Sequence, residues 1–481
     1  MLSKFPIGII QTAPLAADFS NNLRKIVQGY RECLDHGARL VIAPAYALCG
    51  ASLANLIDRK SFQRQTEAAL KALSMELGET PLILGAYTQI FDDDFSDDPK
   101  ELKELTNLQP YLLENCTVTE LEDADTFELD DYNIYVDVNQ NLTLTDTGKA
   151  DLIIHLSASP WYAGAAADDE ENGLWEARLS QTPVVIVHHV GTSGESIYGG
   201  GSAIYSPQGT TIARLPFFQK ANKVINVNAS TRARALPEET ELLNMAMECG
   251  LQDSIRNNGY SGVCLNLDEK NAPLLATLCV QALGRSNVIG ITTSGNTRVA
   301  KALGISCHEI DVKELTSCAT TALGEESEAL RNRLTNTLLF TFAEKRGLMM
   351  LSSLSRREVM LGNFTLYGES CGLLAPLANL YEMDLYLLCK KLSESYNDVF
   401  GTIEQPSTPE TDRIIHELTD CNIGATELLQ ERISPFSEND VRMIQRRIIA
   451  SALKRSQFPL TLRVDRPSER IQLPITHRLN D

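Results

Sequence analysis

Apolar positions in the first 230 residues alternate between two rhythms. Short runs rich in Val and Ile read as strands: "FPIGIIQTAP" (5–14), "ARLVIAPAY" (38–46), "PLILGAYTQI" (81–90), "NIYVDV" (133–138), "ADLIIHLSAS" (150–159), "TPVVIVHHVG" (182–191), "GSAIYSP" (201–207) and "NKVINVNAS" (222–230). Between them, "NNLRKIVQGYRECLDHG" (21–37) and "KSFQRQTEAALKALSMELG" (60–78) carry apolar residues at three- and four-residue spacing, the mark of amphipathic helices. Such strands, separated partly by helices, predict buried sheets with layers outside them.

A charged hinge, "STRARALPEETE" (230–241), interrupts this pattern. Beyond it the strands "SGVCLNL", "NVIGITT", "CHEIDV" and "LMMLSS" alternate with helices, which predicts a parallel, doubly wound sheet. The expected domains are therefore 1–229 and 242–481, joined by a linker at 230–241. A length of 481 residues agrees, since one core rarely serves so long a chain.

Composition narrows the classes. The net charge of −20 argues against non-specific nucleic-acid binding and against acidic membrane surfaces. No signal peptide and no uninterrupted membrane-length apolar run is read, so a cytoplasmic protein is expected. The eleven cysteines are scattered without C-x-x-C or Cys/His spacing, and neither zinc nor disulfides are expected. The acidic stretch "FDDDFSDDPKELKE" (91–104) reads as a solvated loop.

The sharpest question lies in "LNLDEKNAPLLA" (265–276). A strand, a tight turn and a helix ("LLATLCVQALG") is where α/β proteins hold phosphate, on the free N–H groups of the helix start. Here the turn holds Asp268, Glu269 and Lys270 and no glycine. Two carboxylates at such a cradle repel a phosphate by roughly 1–4 kcal/mol each at about 4 Å. An ordinary polar turn is the plainer expectation for these three residues.

Taken in order, "GIIQTAP", "GARLVIAPAYALCG", "LILGAY", "ADLIIHLSASPW", "GGGSAIYSPQG", "NGYSGVCLNL", "LYGESCGLLAPLANLY", "QPSTPE", "KRSQFP" and "PITHR" resemble the glutamine-dependent NAD+ synthetase family over nearly the whole chain. The resemblance implies a nitrilase-like α-β-β-α sandwich followed by a doubly wound, adenine nucleotide α-hydrolase-like synthetase domain. It implies ATP, Mg²⁺ and deamido-NAD as ligands and self-association through the second domain; assembly with an active synthetase is the alternative expected of an inert relative, and from the charge no nucleic-acid or membrane partner is expected.

The family's motifs depart here at positions of chemistry. Its glutaminase uses a Glu base, a Lys and a Cys nucleophile. The Glu slot, in "APAYALCG", holds Ala45, the Cys slot after "NIYV" holds Asp137, and no Lys or Arg occurs between Lys103 and Lys149. Asp137 reads most simply as a strand-end polar residue, and Cys116 as a remote stand-in nucleophile at best. The pyrophosphate loop S-G-G-x-D-S is replaced by "LNLDEKN", and the strand-end motif T-T-G-N-K-S-E by "SSLSRRE" (352–358), which keeps Glu358 at the family's metal-ligand position. In "APLANLYEM" an ATP-contacting lysine becomes Glu382. By resemblance Arg333 is a deamido-NAD contact, Ser407 an ATP contact and Lys454 a substrate-side residue. No metal site is predicted. The expectation is a catalytically degenerate relative with a binding, scaffolding or regulatory role. The alternatives are an active synthetase making NAD+ from deamido-NAD, ATP and glutamine or ammonia, and a nucleotide sensor using Arg333, Ser407 and Lys454.

Of the remaining motifs, "GGGSAIYSPQG" (199–209) is expected to form hairpin turns. His188-His189 is expected to be a satisfied core histidine beside an exposed one. Trp161, Tyr162 and Trp175 are expected to pack, with a pocket mouth as the alternative.

Overall fold

Alternation of inward and outward residues along Val/Ile-rich strands builds a sandwich in residues 1–237, and the chain divides there into two units, the second running from 238 to 481. The computed structural model describes residues 5–89, 106–121, 125–138, 150–430 and 436–465. The acidic stretch 91–104 and the closing "PITHR" lie outside the described residues.

In the first unit, β1 (Pro6–Gln11), β2 (Leu40–Ile42), β3 (Leu82–Gln89), β4 (Thr106–Glu114) and β5 (Thr117–Glu120) form one six-stranded sheet with β14 (Ala221–Asn226) on the edge beside β1. The second sheet runs β13-β12-β9-β8-β7-β6, from β6 (Asp125–Leu129), β7 (Tyr132–Asp137), β8 (Leu152–Leu156), β9 (Val184–Val187), β12 (Ala203–Tyr205) and β13 (Thr211–Arg214); β10 (Val190–Ser193) and β11 (Ser196–Gly199) pair as a separate hairpin. Ile7, Ile9, Leu40 and Ile42 of one sheet meet Ile134, Val136, Leu152, Ile154 and Val185 of the other. The opposite side chains of the first sheet, such as Ile10, Val41 and Leu84, pack under the helices Phe19–Asp35 and Lys60–Met75. Tyr135, Ile153 and Ile186 pack under the helix Ala165–Ser180. Helix, sheet, sheet, helix is the expected layering.

The period of two has a direct consequence for chemistry. Because Ile154 points between the sheets, its neighbours Ile153 and His155 point toward the outer helix. Asp137 and His155 are register partners on the parallel strands β7 and β8, so the side chain in the family's nucleophile slot faces that helix as well.

The second unit contains a four-stranded, all-parallel sheet in the order β17-β16-β15-β18, built from β15 (Gly262–Asn266), β16 (Val288–Thr292), β17 (Ser306–Glu309) and β18 (Leu348–Met350). The chain leaves β15 toward β16 on one side and later returns as β18 on the other. The carboxyl end of β15 is therefore a topological switch point, where the crevice of such sheets opens. The helix Ala272–Leu283 follows β15, and a separate helical cluster formed by Pro409–Thr419, Ala425–Gln430 and Glu438–Arg455 has its own core of Ile414, Ile415, Leu428, Val441 and Ile444.

Candidate functional site

The loop 267–271 sits at that switch point, and each of its last four side chains is bonded to a residue outside the loop. Asp268 reaches the loop after β16. Its Oδ1 accepts from the hydroxyls of Thr292 and Ser294, each at 2.6 Å. Its Oδ2 accepts from the Thr293 backbone N–H at 2.7 Å, the Thr293 hydroxyl at 3.0 Å and the Ser294 N–H at 3.2 Å. Successive backbone N–H groups and hydroxyls converging on one oxyanion are the usual furniture of a phosphate nest. Burial alone would raise the Asp268 pKa, but the bonds from Ser294, Thr292 and Thr293 outweigh it and hold the carboxyl below its ordinary value.

Glu269 turns the other way and accepts the Ser353 hydroxyl at 2.5 Å. Burial pushes its pKa up to about 7, and the nearby Glu369 carboxylate adds to the effect. Lys270 Nζ lies 2.9 Å from Glu382, the residue in the family's ATP-lysine slot, and Glu382 also accepts from the Ser355 hydroxyl at 3.0 Å. Asn271 Nδ2 donates to the Ser353 carbonyl at 3.0 Å and to Glu358 at 3.3 Å. The helix that follows has Pro273 in its first turn, which removes one of the N–H groups a phosphate would use. The expectation of an ordinary polar turn is thus corrected: three loops and a helix start are cross-linked through it, because paired carboxylates near a crevice lower their energy by recruiting every donor within reach.

Two cavities flank this loop. One, of about 280 Å³, is lined by Asp268, Glu269, Glu358, Glu369, Asn332 and Asn336 among others. The second, of about 400 Å³, lies between Lys270, Arg357, Glu382 and the segment 400–407. Glu358 lines the first, held in a capping box in which its Oε2 accepts the Ser355 N–H and hydroxyl, each at 2.8 Å. Ser407 lines the second. Arg333 and Lys454 line neither: Arg333 Nε donates to the Leu366 carbonyl at 3.0 Å, and Lys454 Nζ donates to the carbonyls of Gly362, at 2.9 Å, and Phe364. The four candidates for ligand contact are therefore not brought together. Among the described residues no group of three His, Cys, Asp or Glu side chains is placed to hold a metal.

In the first unit Ala45 is fully buried, and its backbone presses on β3 so closely that a Cβ at Gly85 would lie 2.9 Å from it. Asp137 is the polar residue that ends β7, and it is only 1% exposed. Its Oδ2 lies 3.6 Å from His155 Nδ1, and His155 Nε2 lies 2.7 Å from Glu176 on the outer helix. Burial by itself would lower the His155 pKa; the bonds to Asp137 and Glu176 outweigh it and lift the imidazolium to about 9. The slot thus holds a charge triad that clamps two strands to a helix. Cys116 is exposed in a two-residue turn joining β4 to β5, where it and Asn115 both take positive φ, the geometry of a tight hairpin.

His189 also departs from expectation. It is buried between Tyr46 and Tyr198, its ring 4.0 Å from that of Tyr198, and neither ring nitrogen has a hydrogen-bond partner; burial, with His188 nearby, lowers its pKa to about 3. His188 pairs with Asp169 at 3.3 Å. Trp161 is buried against Gly199 and Phe218, Trp175 is exposed, and Tyr162 donates to Asp168 at 2.6 Å. Gly200 and Gly201 take positive φ where a Cβ would meet Gln11 and Phe217, and the hairpin turn expected in "GGGSAIYSPQG" forms at its end, over Ser206–Thr210 between the antiparallel strands β12 and β13.

Comparison with known proteins extends this picture. A family model described as NAD synthase matches residues 244–402. A glutamine-dependent NAD(+) synthetase of Synechocystis is 26% identical over 451 residues, covering 81% of each chain, and one of Thermotoga maritima is 23% identical, covering 91% of this chain and 88% of its own. Among solved structures, a glutamine-dependent NAD(+) synthetase of Cytophaga hutchinsonii superposes with a TM-score of 0.82 at 14% identity, covering 99% of this chain and 98% of that one. One of Acinetobacter baumannii superposes at 0.75 with 18% identity, covering 98% of both.

Proposed function

We propose, for a chain that belongs to the glutamine-dependent NAD+ synthetase family, a binding or regulatory role linked to NAD biosynthesis in which neither unit carries out the family's chemistry. The observation that carries this reading is the Asp268 carboxylate seated in the nest of Thr292, Thr293 and Ser294. An anion already bound there excludes a second one, and Pro273 with the Glu269 carboxylate removes the nearest substitute donors. The residues present do not fit a magnesium triphosphate. The sandwich supports the same conclusion, since amide hydrolysis needs a nucleophile, a base and a cation together. Ala45 offers no base, and Asp137 is engaged by His155 as one side of a buried ion pair.

The test is an end-point assay of the purified full-length chain with deamido-NAD, ATP and Mg²⁺, supplied in parallel with ammonium or glutamine, following AMP and NAD+. No product from either donor is expected. A second reading, an active ligase converting deamido-NAD, ATP and glutamine or ammonia to NAD+, AMP and pyrophosphate, is favoured by similarity over four-fifths of curated relatives and by Glu358 lining the crevice. It requires Asp268 to vacate its nest, and NAD+ formed with ammonium alone would establish it.

A further inference from the structure

The C-terminal end of the helix Pro409–Thr419 gathers an imidazole, a carboxylate and a thiol that belong to neither cavity. His416 and Asp420 are four residues apart and so share one helix face. The backbone then turns back. The N–H groups of Asp420 and Cys421 both donate to the His416 carbonyl, at 2.8 and 3.1 Å, and Asn422 takes a positive φ, which Asn tolerates just past a helix end. This turn lays the exposed Cys421 Sγ 3.4 Å from His416 Nε2. The other ring nitrogen, Nδ1, lies 3.0 Å from Asp420 Oδ2.

Asp420 decides which nitrogen is basic. Its Oδ2 also accepts from the Tyr381 hydroxyl at 2.9 Å, and its Oδ1 accepts from Arg356 and, at 3.1 Å, from the Thr419 hydroxyl. Burial alone would raise the Asp420 pKa, but the bond from His416, the Arg356 charge and the bond from Tyr381 hold the carboxyl below its ordinary value. An ionised carboxylate can only accept, so neutral His416 carries its proton on Nδ1 and turns the Nε2 lone pair to the thiol. The bond to Asp420 also lifts the His416 pKa, against burial and the Arg356 charge and with help from Glu417, which makes the imidazole a stronger base.

Cys421 needs that base. Partial burial pushes its thiol pKa up, and the carboxylates of Glu417 and Asp420 add to the effect. The common route to a reactive cysteine, a cationic neighbour that ionises the thiol in advance, is opposed here, so attack depends on moving the proton as the new bond forms. A nucleophile bonded to a base that a third group orients is the arrangement that does this. Among the described residues, the other exposed cysteines, Cys116 and Cys318, have no histidine bonded to their sulfur.

We propose that Cys421 is a thiolation site, with His416 as its general base and a small cationic disulfide as co-reactant. His416 Nε2 takes the Sγ proton, Sγ attacks one sulfur of the disulfide, and the S–S bond of the reagent breaks. One half stays on Cys421 as a mixed disulfide. The other half leaves as a thiolate and takes the proton from His416, so the protein thiol is oxidised and the reagent is reduced to one thiol. Asp420 is a positioning residue. The carboxylates of Glu417 and Asp420 beside the sulfur favour a positive reagent over an anionic one of the same chemistry. None of this depends on what occupies the crevice beside the loop 267–271.

The experiment incubates the full-length chain with cystamine near neutral pH and follows each cysteine by peptide mass mapping. Cys421 should be modified about tenfold or more faster than Cys116 and Cys318, and His416→Gln should slow Cys421 by a similar factor without changing the other two. The wild-type rate at Cys421 should rise with pH through the titration of His416, and in His416→Gln only through that of the thiol. Asp420→Asn should move the rise to lower pH, which a purely structural role would not do. Glutathione disulfide, an anion, should react at Cys421 more slowly than cystamine. The buried Cys33, Cys264 and Cys279 stay unmodified in a folded chain, and His416→Ala replaces a variant in which they react. Equal rates at the three exposed cysteines, an unchanged Cys421 rate without His416, a pH profile set by the thiol alone, or faster reaction with the anionic disulfide would overturn the proposal.

Discussion

The Asp268 carboxylate receives the backbone N–H of Thr293 at 2.7 Å, across the gap between the loops that follow β15 and β16. An acidic side chain here does the work of a bound anion, and its removal should expose the donors it satisfies. Asp268→Ala is expected to cost about 1–2 kcal/mol, a value discounted for the partial exposure of the site. The variant, and not the wild type, should then gain thermal stability on addition of sulfate or phosphate. Equal responses in a thermal melt would show that the nest is not reserved for Asp268.

Restoring the family's nucleophile should not restore its chemistry. Asp137→Cys breaks one arm of the triad with His155 and Glu176, and removing one partner of a buried ion pair costs about 3–5 kcal/mol. Chemical denaturation should show that loss, and release of ammonia from glutamine should stay at background, because Ala45 supplies no base.

The same triad gives stability a sign with pH. The folded pKa of His155, about 9, lies above the ordinary value near 6.5, so the folded state holds its proton more tightly. The contribution is fully present below about pH 6.5 and is lost as pH rises through about 9. It amounts to about 3 kcal/mol. Melting temperatures measured across that range should fall for the wild type and fall less steeply for Glu176→Gln.

Glu269 contributes an alkaline penalty in a lower window. Its carboxyl titrates near 7 when folded and near 4.5 when unfolded, so the folded state binds the extra proton between those values and stability declines as pH rises across them. Glu269→Gln should therefore melt higher than the wild type at pH 8 and match it near pH 4.5.

Lys454 should prove structural. It caps the carbonyls of Gly362 and Phe364 at the end of the helix Arg356–Leu361. Lys454→Met is expected to lose about 1 kcal/mol in chemical denaturation.

The layers were legible because they rest on periodicity. The stretch 21–37 announced a helix by its apolar spacing and by Gly37, and the helix runs Phe19–Asp35 with Gly37 at positive φ just beyond. Strand "NIYVDV" likewise appears at Tyr132–Asp137. What Asp137 and Glu269 do was not legible, since their partners stand far off in sequence: Glu176 lies on a helix with no strong apolar stripe, and Ser353 belongs to another loop. The Thr292–Ser294 nest left a trace in the run of hydroxyl residues after a strand.

The cross-linked loop 268–271 also constrains how this protein can change. Asp268 bonds the loop after β16, Glu269 and Asn271 both bond Ser353, and Lys270 bonds Glu382, so a change at any one disturbs a partner elsewhere. Residues in one such network do not act additively. A glycine-rich turn introduced stepwise would pass through sequences less stable than either end point, and epistasis of this kind holds the present loop in place whatever selection asks of the crevice beside it.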